Sequence, residues 1–322
     1  MFSKRLSLEA SAKKESFERK WVGLLFKFVF LIAANRFMFM LFLCFLEKYS
    51  IGNKILIGIF TVALTYIFIY HVIRMIEKAY VFRKKKPLYI HKYLFLRKLP
   101  HKQQYILRQR FSFYNKLTKQ QQDYFKHRLT LFIKDKDFIG REGFVITDEI
   151  KVLISATAVM LTFGFRDFYI GIIDKIFIYP DAFFSNTNKE YHKGEFNPGL
   201  RTIVLSWKDF KEGYEISNDN LNLGIHEFVH AIHLNSVKEH DVSSNIFQDT
   251  FKELTNLLSS NQQMKNKLIE SKYFRDYAFS NQYEFIAVII ENFIETPLEF
   301  RKQFPEVYSK VKQMLNFDFA GY

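Results

Sequence analysis

The chemistry-bearing residues of this chain cluster in LGIHEFVHAIHL, residues 223–234, which contains the pattern H-E-x-x-H as His226, Glu227 and His230. On a helix, histidines four residues apart leave one face a turn apart. That separation lets both ring nitrogens bind a single Zn²⁺, while Glu227 lies beside the metal and not on it. Zinc lowers the pKa of a bound water towards neutrality. Glu227 is placed to take that proton and later to carry it to a leaving amine. Ile225, Phe228, Val229 and Ile232 give the motif the apolar surroundings of a helix buried through a domain core. The plainer reading, histidines serving as satisfied core or surface groups, is disfavoured by that context and by a third candidate ligand downstream.

Two histidines leave a zinc site one protein ligand short of the usual three. Glu284 is the candidate. Asn281-x-x-Glu284 also fits a capping box, in which the glutamate would reach back to the start of its own helix. Glu291, seven residues on, shares the face of Glu284 and is either the rival ligand or a partner that holds a histidine in place. Tyr277, seven residues before Glu284, could donate its phenol to an oxyanion; read alone it is a packing aromatic. His233 shares the face of His226 and His230 and is the residue that could close the site into a structural one.

Elements able to position these residues occupy most of the chain. Its 322 residues carry a net charge of +14 and 18% aromatic residues, with few Pro and Gly, which suits one sizeable folded domain plus an appendage. The single cysteine, Cys44, excludes an internal disulfide and fits a reducing compartment. Residues 1–21 are polar and read as a cytoplasmic segment. Two apolar runs follow, 22–46, interrupted by Lys27, Asn35 and Arg36, and 55–73, long enough as a helix for the hydrocarbon core. Together they read as a transmembrane hairpin over 22–76, too long and too poor in small residues at its end for a cleaved signal peptide. From residue 74 to 110 there are twelve Lys or Arg against Glu77 alone, a net of +11. The positive-inside rule keeps this block in the cytoplasm, against anionic lipid, and nucleic acid is not expected as a partner. Residues 77–104 read as a basic juxtamembrane linker, and 105–322 as the catalytic domain.

Within that domain Thr118 and Gln121 resemble a capping box opening a helix towards Lys134, and Thr147 caps a core helix ending near Gly164. Residues 170–173 and Lys175–Tyr179 read as short strands, and 184–199 as a polar loop. Residues 201–207 read as a strand that could sit at a sheet edge and pair with an extended substrate. Residues 281–297 read as the helix of Glu284, and a last helix starts at Pro305.

From about residue 105 to 315 the chain resembles the Mlc titration factor A (MtfA) family of zinc peptidases, whose site is similar to that of the anthrax lethal factor catalytic domain. The matching stretches are ITDEIKVLI (146–154), IYPDAF (178–183), VLSW (204–207), IHEFVH (225–230) and EFIAVIIENF (284–293), followed by Thr296-Pro297. The resemblance implies His226, His230 and Glu284 as zinc ligands, Glu227 as catalytic base and Tyr277 as oxyanion stabiliser. It also implies aminopeptidase-like cleavage. Two departures stand out: His233 occupies the position where the family usually carries an aspartate, and the membrane hairpin is absent from the soluble prototype, which leaves open whether that protein's repressor partner transfers. The expected protein is a mainly helical α+β zincin of the gluzincin type behind two transmembrane helices, one Zn²⁺ per chain, in a bacterial inner membrane facing the cytoplasm, acting on peptides or proteins. The alternative is a tethered binding module that captures a cytoplasmic regulatory protein, with zinc mainly structural.

Overall fold

Helix α1 (Ile51–Lys84) carries the second apolar run in one unbroken 34-residue element, about 51 Å long at the usual rise. The computed structural model describes residues 50–185, 189–216 and 218–322. Among these, α1 is the one helix long and apolar enough to cross a membrane. Two of its hydroxyls bond to the helix's own carbonyls, Thr61 Oγ1 donating to Ile57 O at 2.7 Å and Thr65 Oγ1 to Thr61 O at 2.8 Å. The first apolar run, 22–46, with Arg36 and Cys44, and residues 1–21 lie outside the described residues. The expected pair of spans is therefore represented by one helix.

The chain divides into two units, Met1–Arg74 and Met75–Tyr322. Residues 77–104, expected as a linker, contribute to the second unit. Glu77 is buried and pairs with Arg166, Val81 clusters with Val242 and Ile246, and Leu99 is buried in the main core. The basic composition of this stretch hides these few inward-facing side chains.

After α1 come α2 (His101–Arg110), α3 (Ser112–Lys116), α4 (Lys119–Asp135), β1 (Asp137–Gly140), α5 (Asp148–Leu161), β2 (Lys175–Tyr179), β3 (Phe183–Ser185), β4 (Glu190–His192), β5 (Gly194–Asn197) and β6 (Thr202–Ser206). They are followed by α6 (Trp207–Glu215), α7 (Leu223–Lys238), α8 (Val242–Ser260), α9 (Gln262–Glu270), a 3₁₀ turn (Asp276–Phe279), α10 (Gln282–Glu295), α11 (Pro297–Gln303) and α12 (Pro305–Met314). The protein is a mainly helical α+β structure, as the residue patterns require. The Thr118–Gln121 capping box forms in full, and Thr147 accepts from Ile150 N to start α5. Helices α5, α7 and α10 form the core, and α10 is buried without a break from Phe285 through Ile294.

Two sheet expectations change. Residues 170–173 form no strand. Their carbonyls are taken by a buried lysine, Lys136 Nζ reaching Ile170 O at 3.0 Å and Ile173 O at 2.5 Å, and Asn235 Oδ1 accepts from Ile172 N at 3.2 Å. The strand β6 is internal, because the sheet runs β1-β2-β6-β5 with β6 parallel to β2 and antiparallel to β5. The edges are β1 and β5, and β5 lies inside the stretch read as a polar loop. Half-exposed strands carry polar residues, so composition alone masked it.

Candidate metal centre

The centre is assembled by α7 and α10. Asn222 caps α7 by accepting from Ile225 N at 3.0 Å, which fixes where its first turn begins. Gly224 lets that turn lie against α6, since a Cβ there would fall 2.4 Å from Phe210 Cε2. Asn281 caps α10, accepting from Tyr283 N and Glu284 N. This leaves the Glu284 carboxylate free to turn away from its own helix start, so the capping-box alternative for its side chain does not form.

Three donor groups converge. His226 Nε2 lies 3.0 Å from His230 Nε2 and 3.0 Å from Glu284 Oε2, and His230 Nε2 lies 3.5 Å from Glu284 Oε1. They form the one group of His, Cys, Asp and Glu side chains among the described residues with metal-ligand proximity. Tetrahedral zinc with bonds of 2.0–2.1 Å separates its ligand atoms by about 3.3 Å, which these distances bracket. Glu284 Oε2 is buried and faces His226 Nε2 at 3.0 Å. His226 is drawn towards its charged form: burial works against it, but hydrogen bonds to Glu284 and Glu291 outweigh burial and raise it to about 9. Burial likewise opposes the Glu284 charge, and the two histidines overcome it and lower this carboxyl. A site that favours positive charge at the meeting point of two imidazoles and a carboxylate fits a divalent cation.

Glu291 lies behind His226, not beside the donors. Its side chain is 1% exposed, and its Oε1 accepts from His226 Nδ1 at 2.7 Å. That bond puts the proton on Nδ1 and aims the Nε2 lone pair at the centre. Arg275 Nη2 donates to the same oxygen at 2.6 Å, and Asn222 N donates to Glu291 Oε2 at 3.1 Å. Sequence reasoning missed Arg275, a single basic residue in the turn before Tyr277 with nothing in its neighbours to mark it.

Glu227 sits under the edge strand. Burial raises its pKa, countered by His226, His230 and a hydrogen bond from the Phe196 backbone on β5. A Cβ on Gly194 would lie 2.7 Å from Glu227 Oε1, so only glycine lets β5 come this close. Tyr277, on the 3₁₀ turn, is half-exposed. Burial and a hydrogen bond with Glu284 raise its phenol, which therefore keeps its proton at neutral pH. His233 does not join the donors. It is buried among Phe251, Tyr283 and Phe247, with ring centroids 4.8, 5.2 and 6.0 Å away, and burial lowers it to about 4, leaving it neutral. A cleft of about 390 Å³ opens onto His226, Glu227 and Tyr277, with Lys193, Asp209 and Glu212 on its walls.

Two histidines and a glutamate from a second helix, meeting beside a buried glutamate, are the donor set of a metallopeptidase. The chain belongs to the glucose-regulated metallo-peptidase M90 family, whose model matches residues 83–316. It is also similar to a protein of Synechocystis sp. (strain ATCC 27184 / PCC 6803 / Kazusa), named uncharacterized protein slr2042. The two are 27% identical over 236 residues, which cover 69% of this chain and 86% of that protein. The family makes the protein a metallopeptidase acting on peptides or proteins, and it is the family the sequence resemblance indicated.

Proposed function

We propose that the protein is a membrane-anchored zinc peptidase, with α1 as the anchor and residues 105–322 as the catalytic part facing the cytoplasm. The observation that carries the reading is the convergence of His226, His230 and Glu284 next to Glu227. Held by those three side chains, Zn²⁺ would supply Lewis acidity and bring a water's pKa towards neutrality. Glu227 takes the proton from the attacking water and returns it to the leaving amine; burial raises its pKa, which favours its holding the proton between the two transfers. Tyr277 donates its phenolic proton to the oxyanion. Glu291, backed by Arg275, keeps His226 in the required tautomer. The outer edge of β5 offers backbone groups to an extended peptide, laying it across Glu227 with little demand on side-chain identity. Aminopeptidase-like cleavage is the form the family resemblance favours. The excess of Lys and Arg after α1 orients the anchor.

The test is metal content and peptide cleavage by the purified full chain in detergent, for wild type and Glu227→Gln. One zinc in both, with cleavage by wild type alone across a broad peptide panel, is the expected result. Zinc in both with no cleavage by either would favour the tethered binding module.

A further inference from the structure

Leu94 and Phe95 are 95% and 86% exposed, the two most exposed large apolar side chains among the described residues, and Leu96 beside them is 43% exposed. Single surface leucines are ordinary, but three consecutive large apolar residues at a loop tip are not. The loop is also held at both ends. Tyr93 Oη accepts from Arg128 Nε at 2.6 Å and its ring lies 4.2 Å from that of His127. Ile90 O accepts from Arg128 Nη2 at 3.3 Å, and Arg97 N donates to His127 Nδ1 at 2.8 Å. Leu99 is buried just beyond.

Arg128 is wholly buried and has no part in the metal centre. Its other hydrogens go to the carbonyls of Thr162, Phe163 and Phe165, and Phe168 lies under its guanidinium at 4.3 Å. A charge buried at such cost, satisfied mainly by carbonyls and a phenol, fixes backbone in place. Here it fixes the stem of an apolar tip. Lys92, Arg97 and Lys98 flank the tip in sequence and are exposed, Arg83, Lys84 and Lys86 are exposed ahead of it in the chain, and no Asp or Glu occurs from residue 78 to 122.

We propose that the 94–96 loop is a lipid-inserting wedge, Leu94 and Phe95 entering the interface of an anionic bilayer while the flanking Lys and Arg contact headgroup phosphates. Two side chains are too few for the core of a protein interface, yet enough for shallow insertion among acyl chains. The one-sided charge selects anionic headgroups. A preformed loop enters without an ordering cost. The wedge goes beyond the anchor and is independent of it, because the loop would hold an anionic surface whether or not α1 spans.

The experiment places an NBD fluorophore on Leu94→Cys in a Cys44→Ser background of the full chain, in vesicles of phosphatidylcholine with or without phosphatidylglycerol. A second labelled chain carries the probe at Tyr105→Cys, an exposed position on α2. Expected is a blue-shifted probe at 94, quenched several-fold by brominated acyl chains in anionic vesicles and much less in neutral ones, with the probe at 105 remaining open to aqueous iodide. A chain that floats with vesicles while both probes are equally open to iodide overturns the wedge alone. Shielding at 94 without bromine quenching also overturns it, and assigns the tip to a second copy or another protein. Loss of flotation at high salt, with lipid quenching at low salt, leaves the wedge standing and removes the anchor.

Discussion

Glu291→Ala isolates the residue that the sequence left between two roles. In the structure its carboxylate is buried and accepts three hydrogen bonds: from His226 Nδ1 at 2.7 Å, Arg275 Nη2 at 2.6 Å and Asn222 N at 3.1 Å. Removing it frees the His226 ring to turn and to move its proton to Nε2. Losing such a partner weakens metal binding by about 10–100-fold, or about 1.4–2.7 kcal/mol. Stability should fall as well. Breaking a buried ion pair costs about 3–5 kcal/mol, but Arg275 is 29% exposed and regains water, so about 2–3 kcal/mol is expected. Zinc affinity by competition with a chelating dye, and the thermal midpoint of the metal-free chain, report the two effects separately. Glu284→Ala is the comparison and should lose zinc far more completely. If Glu291→Ala folds and binds zinc like wild type, Glu291 does not orient His226. If it loses zinc as fully as Glu284→Ala, Glu291 is itself a ligand.

Tyr277→Phe should lower kcat by about 10²-fold with zinc content unchanged; an unchanged kcat would return Tyr277 to a packing role. Gly194→Ala puts a Cβ against Glu227 Oε1 and Leu223 Cδ1. It should reduce kcat/KM while the zinc stoichiometry stays at wild type, and wild-type kinetics would show that β5 does not constrain Glu227. Acid should destabilise the fold through His91, which burial, then Arg128 and His127, lower to about 3 from 6.5. Its stabilising contribution is complete above pH 6.5 and is lost as pH falls towards 3. At pH 5 the loss is about 1 kcal/mol after allowing for its partial exposure. His91→Phe keeps the ring against Tyr124 and Phe163 and removes the titration, so its thermal midpoint should drop less than that of wild type between pH 7 and 5. Equal drops would exclude His91 as a source of the acid sensitivity.

What the sequence determined by itself was set by local rules. Four-residue spacing on one helix makes His226 and His230 neighbours whatever surrounds them, and hydroxyl and amide caps at Thr118, Thr147 and Asn281 fix helix starts within a few residues. The uninterrupted apolar run of α1 needs only its own composition to be read. Tertiary structure decided everything that depended on distant parts meeting. Glu284 and Glu291 share a helix face, and only the crossing of α10 over α7 separates a residue among the donors from one behind them. The edge position passed from β6 to β5 because strand order is set by pairing across the sheet, which no local pattern encodes. Arg275 and Arg128 look alike in sequence, single arginines among polar and aromatic neighbours. One steadies the carboxylate behind His226 and the other pins the loop at Tyr93, because an arginine's function is set by the oxygen atoms the fold brings to it.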